Sequence, residues 1–256
     1  MNRALAFTER NIKELLRDPL SYIFCLGFPL IMLIIMSILN SSIPPEAHMT
    51  VFRIDNLCGG IAMFGQTFVM LFTALTVSQD RSGSFLVRMY ASPMRPADLV
   101  TGYTFPMLII AAGQALITIV SSVIISLTEN VTLEPLGLIA AFFTLIPSAL
   151  MFTAIGVIFG TLFNEKAAPG LCSIIISLGS FLGCIFFDAE STGGVMLTIC
   201  KCFPFYYCTK SVRSATALDF AADTFLLPLA VTAVAAVVFT VIAALAFRAK
   251  MRADLS

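Results

Sequence analysis

Residues Thr73–Pro106 read TALTVSQDRSGSFLVRMYASPMRPADLVTGYTFP, and this stretch decides how the rest of the chain is read. It leaves one apolar run, crosses a short charged loop and enters the next. Asp80 and Arg81 stand where the first run stops. A short amphipathic piece follows at about Gly83–Ser92. Phe85, Leu86, Met89 and Tyr90 fall at helical spacing on one side of it and Arg88 on another. Ser92-Pro93 and Arg95-Pro96 then end it, because each proline lacks an N–H and pushes the preceding residue out of helix. A small loop held between two membrane spans is well placed to receive a push from a partner outside the membrane.

Composition agrees with a membrane setting. The 256 residues are 59% hydrophobic and only 12% charged, with a mean hydropathy of +0.97. Soluble domains carry about 25% charged residues. Net charge is zero, so nothing points to nucleic acid. Phe is abundant and Trp absent, which leaves Tyr22, Tyr103, Tyr206 and Tyr207 as candidate interfacial rings.

Six apolar segments are near the ~20 residues that cross a bilayer: about Leu20–Leu39, Leu57–Val77, Gly102–Leu127, Leu136–Phe163, Gly170–Phe187 and Phe225–Phe247. The expected fold is therefore an all-α integral membrane protein with six transmembrane helices, forming one domain over residues 1–256. Pro29 and Pro147 fall inside spans, where neighbouring helices can take up freed carbonyls. With the N-terminus cytoplasmic, eleven Lys and Arg lie on the inner side. Only Arg53, Lys201, Lys210 and Arg213 lie on the outer side. That bias places both termini in the cytoplasm and the protein in the plasma (inner) membrane.

Residues 1–19 do not have the pattern of a signal peptide, since charges run throughout. Leu5, Ile12, Leu15 and Leu16 share one helical face, which suits an amphipathic helix lying on the membrane surface; a solvated helical lead-in is the alternative. In the long connection 188–224, the apolar run VMLTICKCFPFYYCT (Val195–Thr209) is too short to cross and is split by Pro204. A re-entrant hairpin on the outer face fits it; a hydrophobic loop packed on helix ends is the other reading.

The chain carries no G-x-x-x-x-G-K-[ST] phosphate loop and no G-x-S-x-G, and its one histidine, His48, sits beside Pro44-Pro45. No catalytic residue and no metal site is expected. Cys200, Cys202 and Cys208 cluster in the outer connection, where a disulfide and free buried thiols are both open. Cys25, Cys58, Cys172 and Cys184 read as small apolar membrane residues.

Polar residues in the spans have positional meaning. Gln66, Thr73 and Asp80 recur every seven residues, beside an aromatic stripe of Phe64, Phe68 and Phe72. Ser173, Ser177 and Ser180 line a face of the fifth apolar run. Gly156-x-x-x-Gly160 and Gly179-x-x-x-Gly183 offer close helix approach. Each stripe reads either as helix packing or as part of a greasy substrate path, for which Gln66, Phe68, Phe72, Thr73, Ser173, Ser177 and Ser180 are the candidates. No ionisable pair stands inside a span, which argues against a proton- or sodium-coupled carrier.

Thr73–Pro106 resembles the first cytoplasmic loop of type-2 ABC exporter permeases, the branch that includes bacterial drug and antibiotic exporters. NIKELLRDPLSYIFCLGFPLIM (Asn11–Met32) resembles their approach to span one. MFTAIGVIFGTLFNEKAAPG (Met151–Gly170) resembles their fourth span and second inner loop. The resemblance covers most of the chain up to about residue 180. Beyond that it rests on layout. It implies an ATP-driven permease subunit that exports an apolar or amphipathic substrate (drug, antibiotic, peptide or lipid-like) through a cavity alternating between inward- and outward-facing. ATP and Mg would be bound by a separate ATPase subunit, not by this chain. The loop 78–101 would be the coupling loop, with Phe85, Leu86, Arg88, Met89 and Tyr90 touching the ATPase and Asp80 and Arg81 anchoring it. A second permease, identical or paralogous, would complete the complex. An ATP-independent carrier or channel, and a peptide-binding immunity protein, are the competing readings.

Overall fold

The computed structural model describes residues 3–44, 50–83, 96–129 and 131–255. Its order is α1 (Arg3–Leu15), α2 (Pro19–Tyr22), a π-helical turn (Ile23–Gly27), α3 (Phe28–Ser42), α4 (Ile54–Ser82), α5 (Pro96–Glu129), α6 (Pro135–Leu162) and α7 (Ala168–Leu182). The short helices α8 (Ala189–Thr192), α9 (Gly194–Lys201) and α10 (Pro204–Thr216) follow. A second π turn (Ala222–Leu226) then leads into α11 (Leu227–Leu255). Among the described residues five helices are long and apolar enough to cross a membrane, and the sequence expectation was six. The difference lies in the fifth apolar run. Its helix is α7, 15 residues long, or about 22 Å at ~1.5 Å per residue, against a hydrocarbon core of roughly 30 Å. The chain leaves helix at Gly183, and Cys184 takes a left-handed φ of 54°.

α4 is the centre of the bundle. In its most apolar window 83% of residues are buried, against 17% for the first span and 17% for the last. Protein surrounds α4, whereas the outer helices turn branched aliphatic side chains such as Ile31, Ile35, Val234 and Val241 outward. That explains why α4 is the helix with buried Gln66, Thr67, Thr73 and Asp80, which hydrocarbon would not tolerate without partners.

α4 and α6 meet along a close seam. A Cβ at Gly156 would fall on the Met70 carbonyl oxygen, and one at Gly160 would stand 2.6 Å from that of Ala74. The small-residue spacing seen in sequence therefore brings two backbones together. Gly179, by contrast, has only loose neighbours at 3.8 Å or more.

Both π turns have a proline cause. Pro29 and Pro228 each lack an N–H, so the residue before each reaches back five positions: Phe28 N–H to Ile23 O and Leu227 N–H to Ala222 O. At the second, the carbonyl of Thr224, four residues before Pro228, accepts from Ser214 Oγ at 2.9 Å. A neighbouring hydroxyl thus meets the group that proline leaves without a donor.

Gly156→Leu is expected to cost about 1–3 kcal/mol through overpacking of the seam. Gly113→Ala, where an added Cβ meets nothing within 4 Å, is expected to cost nothing. Thermal unfolding of the two detergent-purified variants, followed by size-exclusion chromatography, checks the contrast.

Candidate functional site

At the last turn of α4 the Asp80 carboxylate is buried, 8% exposed. Arg10 of α1 grips it with two parallel bonds, Nη1 to Oδ2 at 2.8 Å and Nη2 to Oδ1 at 2.9 Å. Tyr103 of α5 donates its hydroxyl to Oδ2 at 2.7 Å. The carboxylate sits at the negative end of the α4 dipole, where it is unfavourable unless a cation and donors surround it. The Asp80 bond in turn raises the Arg10 pKa above its ordinary value, so the guanidinium stays charged. Asn11 Nδ2 donates to Gly102 O at 2.9 Å, and the Phe7 ring stands edge-on to Tyr103 at 5.0 Å. Gly102 is required here, because a Cβ would run into the Phe7 ring. α1 therefore docks on α5 through Phe7 and Asn11; of the apolar face expected to lie on the membrane surface, Leu15 is buried against the bundle and Leu16 is 65% exposed.

The neighbouring Arg81 turns the other way and donates Nη1 to Thr161 O at 2.7 Å, meeting one of the carbonyls that the end of α6 leaves without a helical partner. Ser82 Oγ reaches Glu165 Oε2 at 3.2 Å. Leu99, Val100 and Tyr103 at the start of α5 are packed with Phe7, Val77 and Phe247. Both stems of the loop between α4 and α5 are thus fixed to one junction of α1, α4, α5 and α11. The predicted contact residues Phe85, Leu86, Arg88, Met89 and Tyr90 lie outside the described residues.

The candidate path residues go to three different places. Gln66 donates Nε2 to Leu145 O at 3.0 Å and accepts from Ser148 Oγ at 2.6 Å, which ties α4 to α6. It also lines a 220 Å³ apolar slot with Phe105, Ala111 and Phe142. Thr73 bonds to Val69 O within its own helix and packs on Gly156. Phe68 and Phe72 lie under the first span, with ring centroids 4.9 Å from Phe28 and 6.2 Å from Phe24. Ser173 and Ser177 are exposed on α7, Ser180 is buried, and all three hydroxyls bond to carbonyls of their own helix. Within one chain these residues do not share a cavity.

At the opposite end of α4 the sequence reading missed a second polar centre. Arg213 of α10 donates Nε to Asn56 O at 3.1 Å, Nη1 to Cys184 O at 3.0 Å and Nη2 to Ile185 O at 3.1 Å. Burial lowers its pKa. It joins the start of α4 to the break after α7, and it borders a cavity of about 320 Å³ with Asp188, Glu190, Tyr206 and Lys210. Tyr206 OH donates to Glu190 Oε1 at 2.6 Å, and Lys210 pairs with the same oxygen. The signal available in sequence was Tyr206, Lys210 and Arg213 on one helical face, residues there counted only as outer-loop charges and interfacial rings.

A wholly helical set of described residues, several membrane-length apolar helices and a charged junction gripping both stems of one loop define a polytopic membrane protein. A family model described as ABC-2 type transporter matches residues 3–217, and the chain belongs to that family. It is an integral membrane permease domain, and the family implies a partner ATPase. No curated protein matches the chain.

Two outcomes follow from these geometries. Asp80→Ala is expected to lower thermal stability more than Tyr103→Phe. The first takes the acceptor away from three donors, at about 1.5–3 kcal/mol for bonds to a charged group; the second removes one bond. Unfolding of the purified variants ranks them. At the other end, Lys210 and then Tyr206 hold the Glu190 pKa below its ordinary 4.5. A depressed carboxylate stabilises the fold above its unfolded-state value, and that stability is lost as pH falls through the folded-state value. The stability advantage of wild type over Glu190→Gln should therefore be full at pH 7 and shrink as pH falls below 4.5.

Proposed function

We propose that this chain is the permease subunit of an ATP-driven exporter that moves an apolar or amphipathic substrate outward across the plasma membrane. The observation that carries the proposal is the Asp80–Arg10–Tyr103 junction, which fixes both stems of the loop between α4 and α5 to the bundle. A loop that is to transmit a push must not yield at its base. A rigid base joined to α1, α4, α5 and, through Arg81, to α6 would spread displacement of the loop over the helices that enclose α4. Phe85, Leu86, Arg88, Met89 and Tyr90 are the proposed contacts with the ATPase, which supplies ATP and Mg.

In this reading both termini are cytoplasmic and α1 lies on the inner membrane surface. α7 is a sixth, short crossing completed by the segment up to Phe187. α9 and α10, which meet at the Cys202–Phe203 turn before Pro204, form the re-entrant hairpin on the outer face. The substrate path then needs a second permease, identical or paralogous. Gln66, Phe68, Phe72 and Thr73 are enclosed within one chain, and Ser173 and Ser177 on α7 face away from it. Opening such a path means moving α3 or α6 off α4.

The test is a pull-down from native membranes with tagged protein. Wild type should recover a Walker-motif ATPase, and the Phe85→Glu/Met89→Glu variant should recover at least tenfold less at equal expression. Failure of wild type to recover any ATPase in mild detergent would overturn the proposal in favour of an ATP-independent carrier or a peptide-binding protein.

A further inference from the structure

We infer that the apolar slot between α5 and α6 is a site for one acyl chain of a membrane lipid, held as a resident ligand distinct from the passing bilayer. The slot has a volume of about 220 Å³. Its floor is made of small side chains, Ala111 and Ala115 of α5 and Ala149 of α6, all buried. Its lips are large ones, Phe105, Ile109 and Ile146, each about half exposed. Where small residues face one another the surrounding atoms lack contact partners, and a ligand that fills the gap supplies them. Gln66 of α4 closes the bottom, with its carboxamide engaged by Leu145 O and Ser148 Oγ of α6. Water does not settle in such a space, because apolar walls give it no hydrogen-bond partners.

Three observations choose the occupant. The first is continuity with the face that meets the bilayer. Phe105, Ile109, Ala112 and Leu116 recur at helical spacing along α5, as do Ile139, Phe143 and Ile146 along α6, and all of them are exposed. The slot therefore opens on the surface these two membrane-length helices turn to hydrocarbon. The second is depth. Ile146 is the twelfth of the 28 residues of α6, and Gln66 the thirteenth of the 29 of α4. The slot is at mid-span, roughly 15 Å from either face of the hydrocarbon core, where lipid tails reach and headgroups do not. The third is girth. The lining runs from Phe142 to Ala149 on α6 and from Phe105 to Ala115 on α5, or ~10 and ~15 Å at ~1.5 Å per residue. A volume of 220 Å³ spread over those lengths leaves a cross-section of about 15–22 Å². That is the width of one extended methylene chain and less than that of a fused ring system. A chain seated there lies on Gln66 and completes the packing of α5 against α6 at mid-span.

The sequence contains no Trp, so one introduced ring reports on one place. Phe105→Trp puts it on the lip of the slot, and Val237→Trp puts it on an exposed position of α11. Each variant is purified in a bile-salt detergent, whose fused rings are too wide for the slot, and titrated with phosphatidylcholine brominated along its acyl chains. Quenching of the Trp fluorescence is followed on monodisperse protein. Phe105→Trp should be half-quenched at a lipid-to-detergent ratio at least fivefold lower than Val237→Trp. Adding Ala112→Phe, which brings a ring into the slot from an exposed position, should return Phe105→Trp to the Val237→Trp curve. Adding Ala230→Phe, on the exposed face of α11, should leave it unchanged. Phosphatidylglycerol with the same brominated chains should give the same ratio, since the tail is the part held. Equal half-quenching ratios at the two Trp positions would overturn the site, as would quenching at the lip that survives Ala112→Phe. A ratio that moved more than fivefold with the headgroup would overturn the acyl chain as the group recognised.

Discussion

A carboxylate buried at the negative end of a 29-residue helix must be neutralised, and Asp80 is the point on which the rest of the bundle depends. Its two oxygens take three donors from two other elements, with Arg10 in α1 and Tyr103 in α5. That requirement pulls a short amphipathic helix out of the surrounding solvent or interface and seats it on α5. It also fixes the register of α5 against α4 just where the chain has returned from the loop. Tyr103 stacks in turn toward Phe247 at 6.1 Å, so the last helix joins the same junction.

The two ends of α4 solve opposite electrostatic problems. At one end an anion is enclosed by donors. At the other the Arg213 cation is enclosed by three carbonyls. Two of these, from Cys184 and Ile185, lie where α7 has broken off. The short length of α7 and the position of Arg213 are therefore linked: carbonyls that leave helix in a buried place need a donor, and a side chain with five N–H groups serves two segments at once. Between the ends α4 is an apolar helix whose polar side chains are made tolerable by protein on nearly every side. Gln66 is satisfied by α6, and Thr67, Thr73 and Thr76 by carbonyls of α4 itself.

Much of this was legible in sequence, for identifiable reasons. Hydropathy marks the long helices because apolar length is a direct requirement of the bilayer, and Gly156 and Gly160 mark the α4–α6 seam because four-residue spacing puts two small residues on one face. Asp80 and Arg81 stood out as charges at the end of an apolar run. Their partners did not, because Arg10 is 70 positions and Tyr103 23 positions away from Asp80 and nothing local encodes those meetings. Tyr103 read as an interfacial ring and proved to be 1% exposed. The fifth run was too long in sequence by the residues that follow Leu182, because apolar content continues through Ile185, Phe186 and Phe187 after the helix has ended.

In the proposed mechanism the Arg10–Asp80 pair transmits force and does more than hold the fold. The most direct measurement is ATP-driven substrate efflux from proteoliposomes holding the permease and its ATPase, comparing wild type, Arg10→Asp, Asp80→Arg and the double exchange at equal folded amounts. Each single exchange should lower efflux at least tenfold while ATPase binding persists, and the double exchange should recover a substantial part of it. Folded single variants that export as wild type does would contradict it.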